Sequence, residues 1–190
     1  YAQLNNWDYN KYDVKKLTHL MDKWMIAKTN DLVGKVNKSL DEYNMATASR
    51  DIEEYCKDLS QWYIRRSRNR FKSGDSDAIG TLHYVLVILS KLLAPFTPFI
   101  AEEMYQNIVL KMGINGKESV HLEDYPSVDE KDIDTKVLDD MQRVRDIASN
   151  GLKIRESTRL NLRQPLCRAF VNIKDEELRE IVKEEVNVKE

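Results

Sequence analysis

DAIGTLHYVLVILSKLLAPFTPFIAEEMYQNIV, residues 77–109, decides the fold. In its first half Leu82, Val85, Leu86, Ile88, Leu89, Leu92 and Leu93 cover most of a helical circumference. Only a central place among other helices shelters such a surface from water. The spacing therefore predicts a core helix over about residues 77–93. Pro95 stops it, and a second helix is encoded at once: Thr97 can cap, Pro98 suits the first helical position, and Glu102 and Glu103 suit its positive end.

Toward the N-terminus, Leu17, Leu20, Met21, Trp24, Met25, Leu32, Val36, Leu40 and Tyr43 recur at three and four, which predicts one long amphipathic helix over 13–43. A second starts near Met45, passes through Ala48, Ile52, Tyr55, Cys56, Leu59 and Tyr63, and ends at Phe71, where SGDS at 73–76 supplies turn chemistry. Toward the C-terminus, VHLEDYP at 120–126 reads as an extended connector closed by Pro126. Val137, Leu138, Met141, Val144, Ile147, Ala148, Leu152 and Ile154 predict a helix near 134–157. LCRAFVNI at 166–173 then alternates like a strand, and EELREIVKEE at 176–185 reads as a short helix. The fold class is mainly α, an antiparallel helical bundle with a small β-α segment at its C-terminal end.

Composition removes several alternatives. Six Gly and four Pro against 33% charged residues favour long helices over many short strands. Cys56 and Cys167 stand far apart with no CxxC spacing, so neither a zinc site nor a disulfide framework is indicated, and a reducing, cytoplasmic setting is the expectation. The longest apolar stretch, 84–96, is read as too short for a bilayer and is interrupted by Lys91 and Pro95. The chain begins at Tyr1 and reads like an internal piece of a larger protein.

Charge is nearly balanced overall, at −2, but locally uneven. QWYIRRSRNRFK, residues 61–72, carries Arg65, Arg66, Arg68, Arg70 and Lys72 with no acid. Cations complement a helix C-terminus, yet five in twelve residues exceed that need. Clustered Arg and Lys beside aromatics are the usual footprint of a nucleic-acid backbone with unpaired bases. Trp62 is a candidate stacking platform, although Ile52, Tyr55 and Leu59 point close to it and favour burial; Tyr63 and Trp24 read as core. Lys153, Arg155, Arg159 and Arg163 form a second candidate surface, the alternative being a solvated linker. Between them, 118–140 carries nine acids and two Lys and reads as a solvated face unsuited to nucleic acid. His19, His83 and His121 are isolated, and no nucleophile, metal or phosphate-loop constellation is present.

Five blocks in order, LMDKWMIAKTNDLV at 20–33, DLSQWYIRRSRNRF at 58–71, LSKLLAPFTPFIAEEMYQNI at 89–108, SVHLEDYP at 119–126 and LRQPL at 162–166, resemble the anticodon-binding region of isoleucyl-tRNA synthetases, class Ia enzymes. The resemblance is nearest to the branch shared by archaea, eukaryotes and some bacteria. It implies 1–12 as a linker from a catalytic domain, 13–157 as an anticodon-binding bundle with an extended connector near 114–130, and 158–190 as the start of a C-terminal α/β module. It implies an isoleucine tRNA as partner, with Arg65, Arg66, Arg68, Arg70, Lys72, Trp62, Lys153, Arg155, Arg159 and Arg163 as the candidate contacts. The family's HIGH-type and KMSKS-type signatures have no match between Tyr1 and Glu190, nor does its editing domain. The chain alone is therefore expected to be inactive and to need no cofactor, the ATP and magnesium belonging to a parent enzyme. A monomer making intramolecular contacts with catalytic and C-terminal domains is the corresponding expectation, and a protein-docking bundle is the rival reading.

Overall fold

Helix α4, Ser76–Leu93, is the axis on which the first part of the chain is built. Every residue from Ala78 to Ala94 is buried or half-buried, as the all-round apolar pattern requires. By length and composition α4 could cross a membrane, but half of it is buried within this fold, between the helices Leu20–Asp41 and Pro98–Tyr105, as in a core helix. The computed structural model describes residues 7–190. They divide into two compact units, one ending at Asp134 and the other spanning Thr135–Glu190.

The first unit contains α1 (Leu20–Asp41), α2 (Met45–Asp58), α3 (Arg68–Ser73), α4 and α5 (Pro98–Tyr105). The predicted long helix starts late because side chains divert its backbone. Asp13 Oδ1 accepts from the Lys15 amide and caps a single 3-10 turn, Val14–Lys16. His19 Nδ1 then caps α1 proper by accepting from the Met21 amide at 3.1 Å. The inner stripe of α1 brings Trp24, Met25 and Val36 to near-complete burial, each worth about 1.5–3 kcal/mol of transfer free energy. Thr29 lies in the same stripe; its Oγ1 donates to the Met25 carbonyl, so the buried Tyr55 hydroxyl at 2.7 Å is the donor to Thr29. An ion pair of 2.6 Å between Lys28 and the buried Asp58 adds a second tie between α1 and α2.

Residues 59–64 depart from the expected helix. Leu59–Ile64 is π-helical, and two helical residues and a turn at Ser67 lie between it and α3. A π turn holds an extra residue, so everything downstream is rotated from a uniform wheel. Ile64 is exposed, whereas Tyr63 and Phe71 are buried and meet edge to face at 6.1 Å. Gly74, at φ 77°, then closes α3 in the left-handed conformation that glycine adopts without a Cβ clash.

The stretch read as a linker is partly structural; residues 1–6 of it lie outside the described residues. Trp7 Nε1 donates to the Ser76 carbonyl at 3.2 Å, and the Tyr12 hydroxyl lies 3.0 Å from Thr81 Oγ1. The Tyr12 ring rests on Gly80 so closely that a Cβ there would stand 2.1 Å from a ring carbon. Trp7 and Tyr9 cover the His83 ring, whose Nε2 lies 2.8 Å from the Ile108 carbonyl. Burial lowers the His83 pKa and keeps the ring neutral.

Two local expectations at α5 are corrected. Thr97 occupies the cap position but its side chain makes no cap bond, and Glu102 sits beyond the first turn. Glu102 instead accepts from Ser119 Oγ at 2.8 Å and the Val120 amide at 3.0 Å, which fastens the connector to α5. That connector is a 3-10 turn at Val120–Leu122 followed by extended chain. It returns along α1, where Asn37 Nδ2 donates to the Pro126 carbonyl at 2.9 Å and Asn30 Nδ2 to the Asp132 carbonyl at 3.0 Å. Glu123, counted in the acidic run as solvated, is 16% exposed and engages the Tyr105 hydroxyl at 2.6 Å, the Lys117 amide at 2.9 Å and Lys91 at 2.9 Å.

The second unit holds α6 (Thr135–Ser157) and α7 (Glu176–Val186), so α6, expected within the bundle, groups with the C-terminal residues. Gly151 of α6 faces Val186 of α7, where a Cβ would meet a valine methyl at 2.5 Å. The expected strand is reduced to a parallel bridge between Leu166 and Val188. Its partner comes from beyond α7: Leu166 N donates to Asn187 O, and Lys189 N to Leu166 O. Among the described residues this β-α-β outline is the only sheet-like pairing.

The structural centre of the first unit is Asp22, fully buried on α1. Its Oδ1 accepts from Arg70 Nη1 at 2.8 Å and from the Tyr63 hydroxyl at 2.8 Å, and its Oδ2 from Arg70 Nη2 at 2.6 Å. Arg70 Nε reaches Asp75, which caps α4, at 2.8 Å. Burial works against the Arg70 charge, but the hydrogen bonds to Asp22 and Asp75 outweigh it and raise its pKa. Replacing Asp22 by Ala should lower stability by about 3–5 kcal/mol in urea unfolding, because it strands a partly buried cation. Replacing Asp22 and Arg70 together by Leu and Met should recover most of that loss.

Glu123 gives a pH signature. The Tyr105 hydroxyl, the Lys117 amide and Lys91 hold its carboxyl down at about 2, against an ordinary 4.5. Its contribution is therefore whole above about pH 4.5 and is lost as the pH falls toward 2. Thermal unfolding of Glu123→Gln should show a weaker dependence on pH across that window than the parent.

Candidate nucleic-acid interface

The basic stretch 61–72 does not present one uniform face. Arg65 is exposed directly after the π segment, its guanidinium carbon 6.0 Å from the Trp62 ring centroid and its Nε donating to the Gln61 carbonyl at 2.7 Å. Trp62 is half-buried, so one part packs and another meets solvent. An arginine plane over an indole is a composite flat surface, suited to stacking an unpaired base while the guanidinium reaches a phosphate. Arg68 and Lys72, four residues apart on α3, are exposed and make no ion pair among the described residues. Arg66 is half-buried.

Arg70 stands apart. Its side chain is 17% exposed and its fork is spent on Asp22 and Asp75, so its placement is that of an internal tie. The sequence held a signal for this in Asp22, which lies in the inner stripe with Met25, Thr29, Leu32 and Val36. A carboxylate on such a stripe requires a buried cation. The partner itself was not readable, because the π segment sets which of the five cations turns inward.

The second stretch divides similarly. Lys153, Arg159 and Arg163 are exposed and make no ion pair among the described residues. Arg155 is 3% exposed. Its Nη2 donates to the Asn161 carbonyl at 2.6 Å and to the Gln164 carbonyl, bridging the loop that follows α6. Nε and Nη1 are buried and find no partner among the described residues. Arg159 opens the loop at φ 58°, a left-handed conformation that costs a non-glycine residue about 1–2 kcal/mol. Asn187 Nδ2 holds the far side by donating to the Leu162 carbonyl at 2.7 Å. The same segment exposes Ile154, Leu160 and Leu162.

No group of His, Cys, Asp or Glu among the described residues is arranged to hold a metal ion. Cys56 is half-buried, with burial raising its thiol pKa, so it is a poor nucleophile. The two stretches thus offer exposed cations, an arginine over an indole ring and a tethered loop, which is equipment for binding a polyanion.

Comparison with known proteins agrees with that equipment. Residues 22–171 match the family described as the anticodon-binding domain of tRNA ligase. An isoleucine–tRNA ligase of Dehalococcoides mccartyi (strain CBDB1) is 39% identical over all of this chain and 20% of its own length. Isoleucine–tRNA ligases of Clostridium novyi (strain NT), 36% identical over all of the chain and 19% of the relative, and of Cutibacterium acnes, 37% identical over 90% of the chain and 16% of the relative, align likewise. The chain therefore spans about a fifth of these relatives. They are bacterial, and the expected kinship with the archaeal and eukaryotic branch gains no support from them. The chain belongs to the anticodon-binding domain family of tRNA ligases.

Proposed function

We propose that this chain is the anticodon-arm docking part of an isoleucine–tRNA ligase, and that Arg65 with Trp62, Arg68 and Lys72 on one unit and Lys153, Arg159 and Arg163 on the other contact the RNA. The observation that carries this is the Arg65 guanidinium over the Trp62 ring, 6.0 Å from its centroid, next to two exposed cations that make no ion pair among the described residues. A backbone-tracking surface needs accessible cations, and base capture in a loop needs a planar platform. Arg70 and Arg155 are left out of the contact set, since their donors serve the fold. Arg66, half-buried, is a peripheral member.

In this reading the ligation of isoleucine, with ATP and magnesium, belongs to the remainder of a longer enzyme acting in the cytoplasm as a monomer. The chain contributes recognition. A second reading, docking onto another protein surface, is favoured by the exposed Ile154, Leu160 and Leu162, aliphatic groups that a phosphate backbone does not use.

Binding to an isoleucine tRNA and to a tRNA with a different anticodon, at two salt concentrations, separates the two. The cognate RNA should bind more tightly, and excess unrelated polyanion should not abolish its advantage. Changing Arg65, Arg68 and Lys72 to Ala, with the Asp22–Arg70 pair left intact, should weaken binding and make the salt slope shallower by about 2. Equal binding of both RNAs and an unchanged slope in that variant would remove the RNA reading and leave the protein-docking one.

A further inference from the structure

We infer that Arg155 is a positioning residue for RNA capture: its buried guanidinium fixes the 158–165 loop so that Arg159 and Arg163 are held out toward a phosphate backbone. This rests on the proposed RNA-binding function and adds to it a residue that touches no RNA.

An arginine only 3% exposed ordinarily has a carboxylate opposite it, and Arg155 has none among the described residues. What it has are two loop carbonyls, Asn161 and Gln164, both on Nη2. Those carbonyls bracket the residues between them, and Arg163, whose amide is held by Asn161 Oδ1 at 2.9 Å, is one of these. Leu160 N donates back to the Arg155 carbonyl at 2.9 Å, which encloses Arg159 in its left-handed conformation. The loop is thus closed from below by one cation and from the side by Asn187 on Leu162. A neutral side chain of similar shape would fill the space at lower desolvation cost but would leave both carbonyls without donors. Retaining a charge there gains order in a loop whose exposed members are cations. Ordering before binding spares the conformational entropy that two long side chains on a loose loop would lose on contact.

The test is a double-mutant cycle in the full 190-residue chain, read by affinity for an isoleucine tRNA and its salt dependence. Arg155→Gln should weaken binding by about the same factor as the combined Arg159→Ala and Arg163→Ala change. Each should make the salt slope shallower by about 1.4, as two single-strand phosphate contacts imply. In the Arg159→Ala, Arg163→Ala background Arg155→Gln should cost nothing further, and Arg155→Lys in the parent should restore part of the affinity. Should Arg155→Gln fail to fold, Asn187→Gly keeps the left-handed backbone of that residue while deleting its bond to Leu162, and it should show the same background dependence. Losses that simply add, or a Gln variant that binds like the parent, overturn the inference while the RNA reading stands. A parent chain that binds no tRNA overturns both.

Discussion

The Asp22 carboxylate, sealed in the core, is the constraint from which the first unit follows. It faces Arg70 and Tyr63 at once, so α1, the π segment, α3 and, through Asp75, the start of α4 are referred to one point. A buried pair of this kind is weak evidence for net stability against an apolar alternative, because desolvation offsets most of the attraction. Its effect is directional. A leucine in place of Asp22 would accept many neighbours, whereas a carboxylate with two filled oxygens accepts one fork in one orientation. Tyr63, buried with its hydroxyl on that carboxylate, has its pKa pushed up by the same enclosure.

Much of the architecture was legible because it rests on periodicity. The observed α4 and α6, at Ser76–Leu93 and Thr135–Ser157, lie within a residue or so of the boundaries that spacing alone predicts. The start of α1 was not legible, since Asp13 and His19 cap by side-chain hydrogen bonds that hydrophobic spacing does not see. Nor was the docking of Trp7, Tyr9 and Tyr12, which depends on contacts near seventy residues away along the chain. The stretch at 166–173 shows the converse: alternation was present, but the pairing formed is the Leu166–Val188 bridge.

For the candidate interface, sequence pointed to two basic stretches and could not sort the cations inside them. Ten candidates contain cations of two kinds. Arg65, Arg68, Lys72, Lys153, Arg159 and Arg163 are held outward, and Arg70 and Arg155 are turned in to tie helices or a loop. A charge pattern cannot separate these, because one planar fork serves a carboxylate, a carbonyl or a phosphate. Burial separates them, and burial is a property of the assembled unit.

The six π-helical residues, Leu59–Ile64, therefore carry information out of proportion to their length. They contain no charged side chain, yet they set the angular phase of the cations between Arg65 and Lys72. An insertion or deletion of one residue here would exchange the inward arginine for an outward one without altering the chain's composition of charge. The chemistry of this surface can drift through helical phase while its count of arginines stays constant.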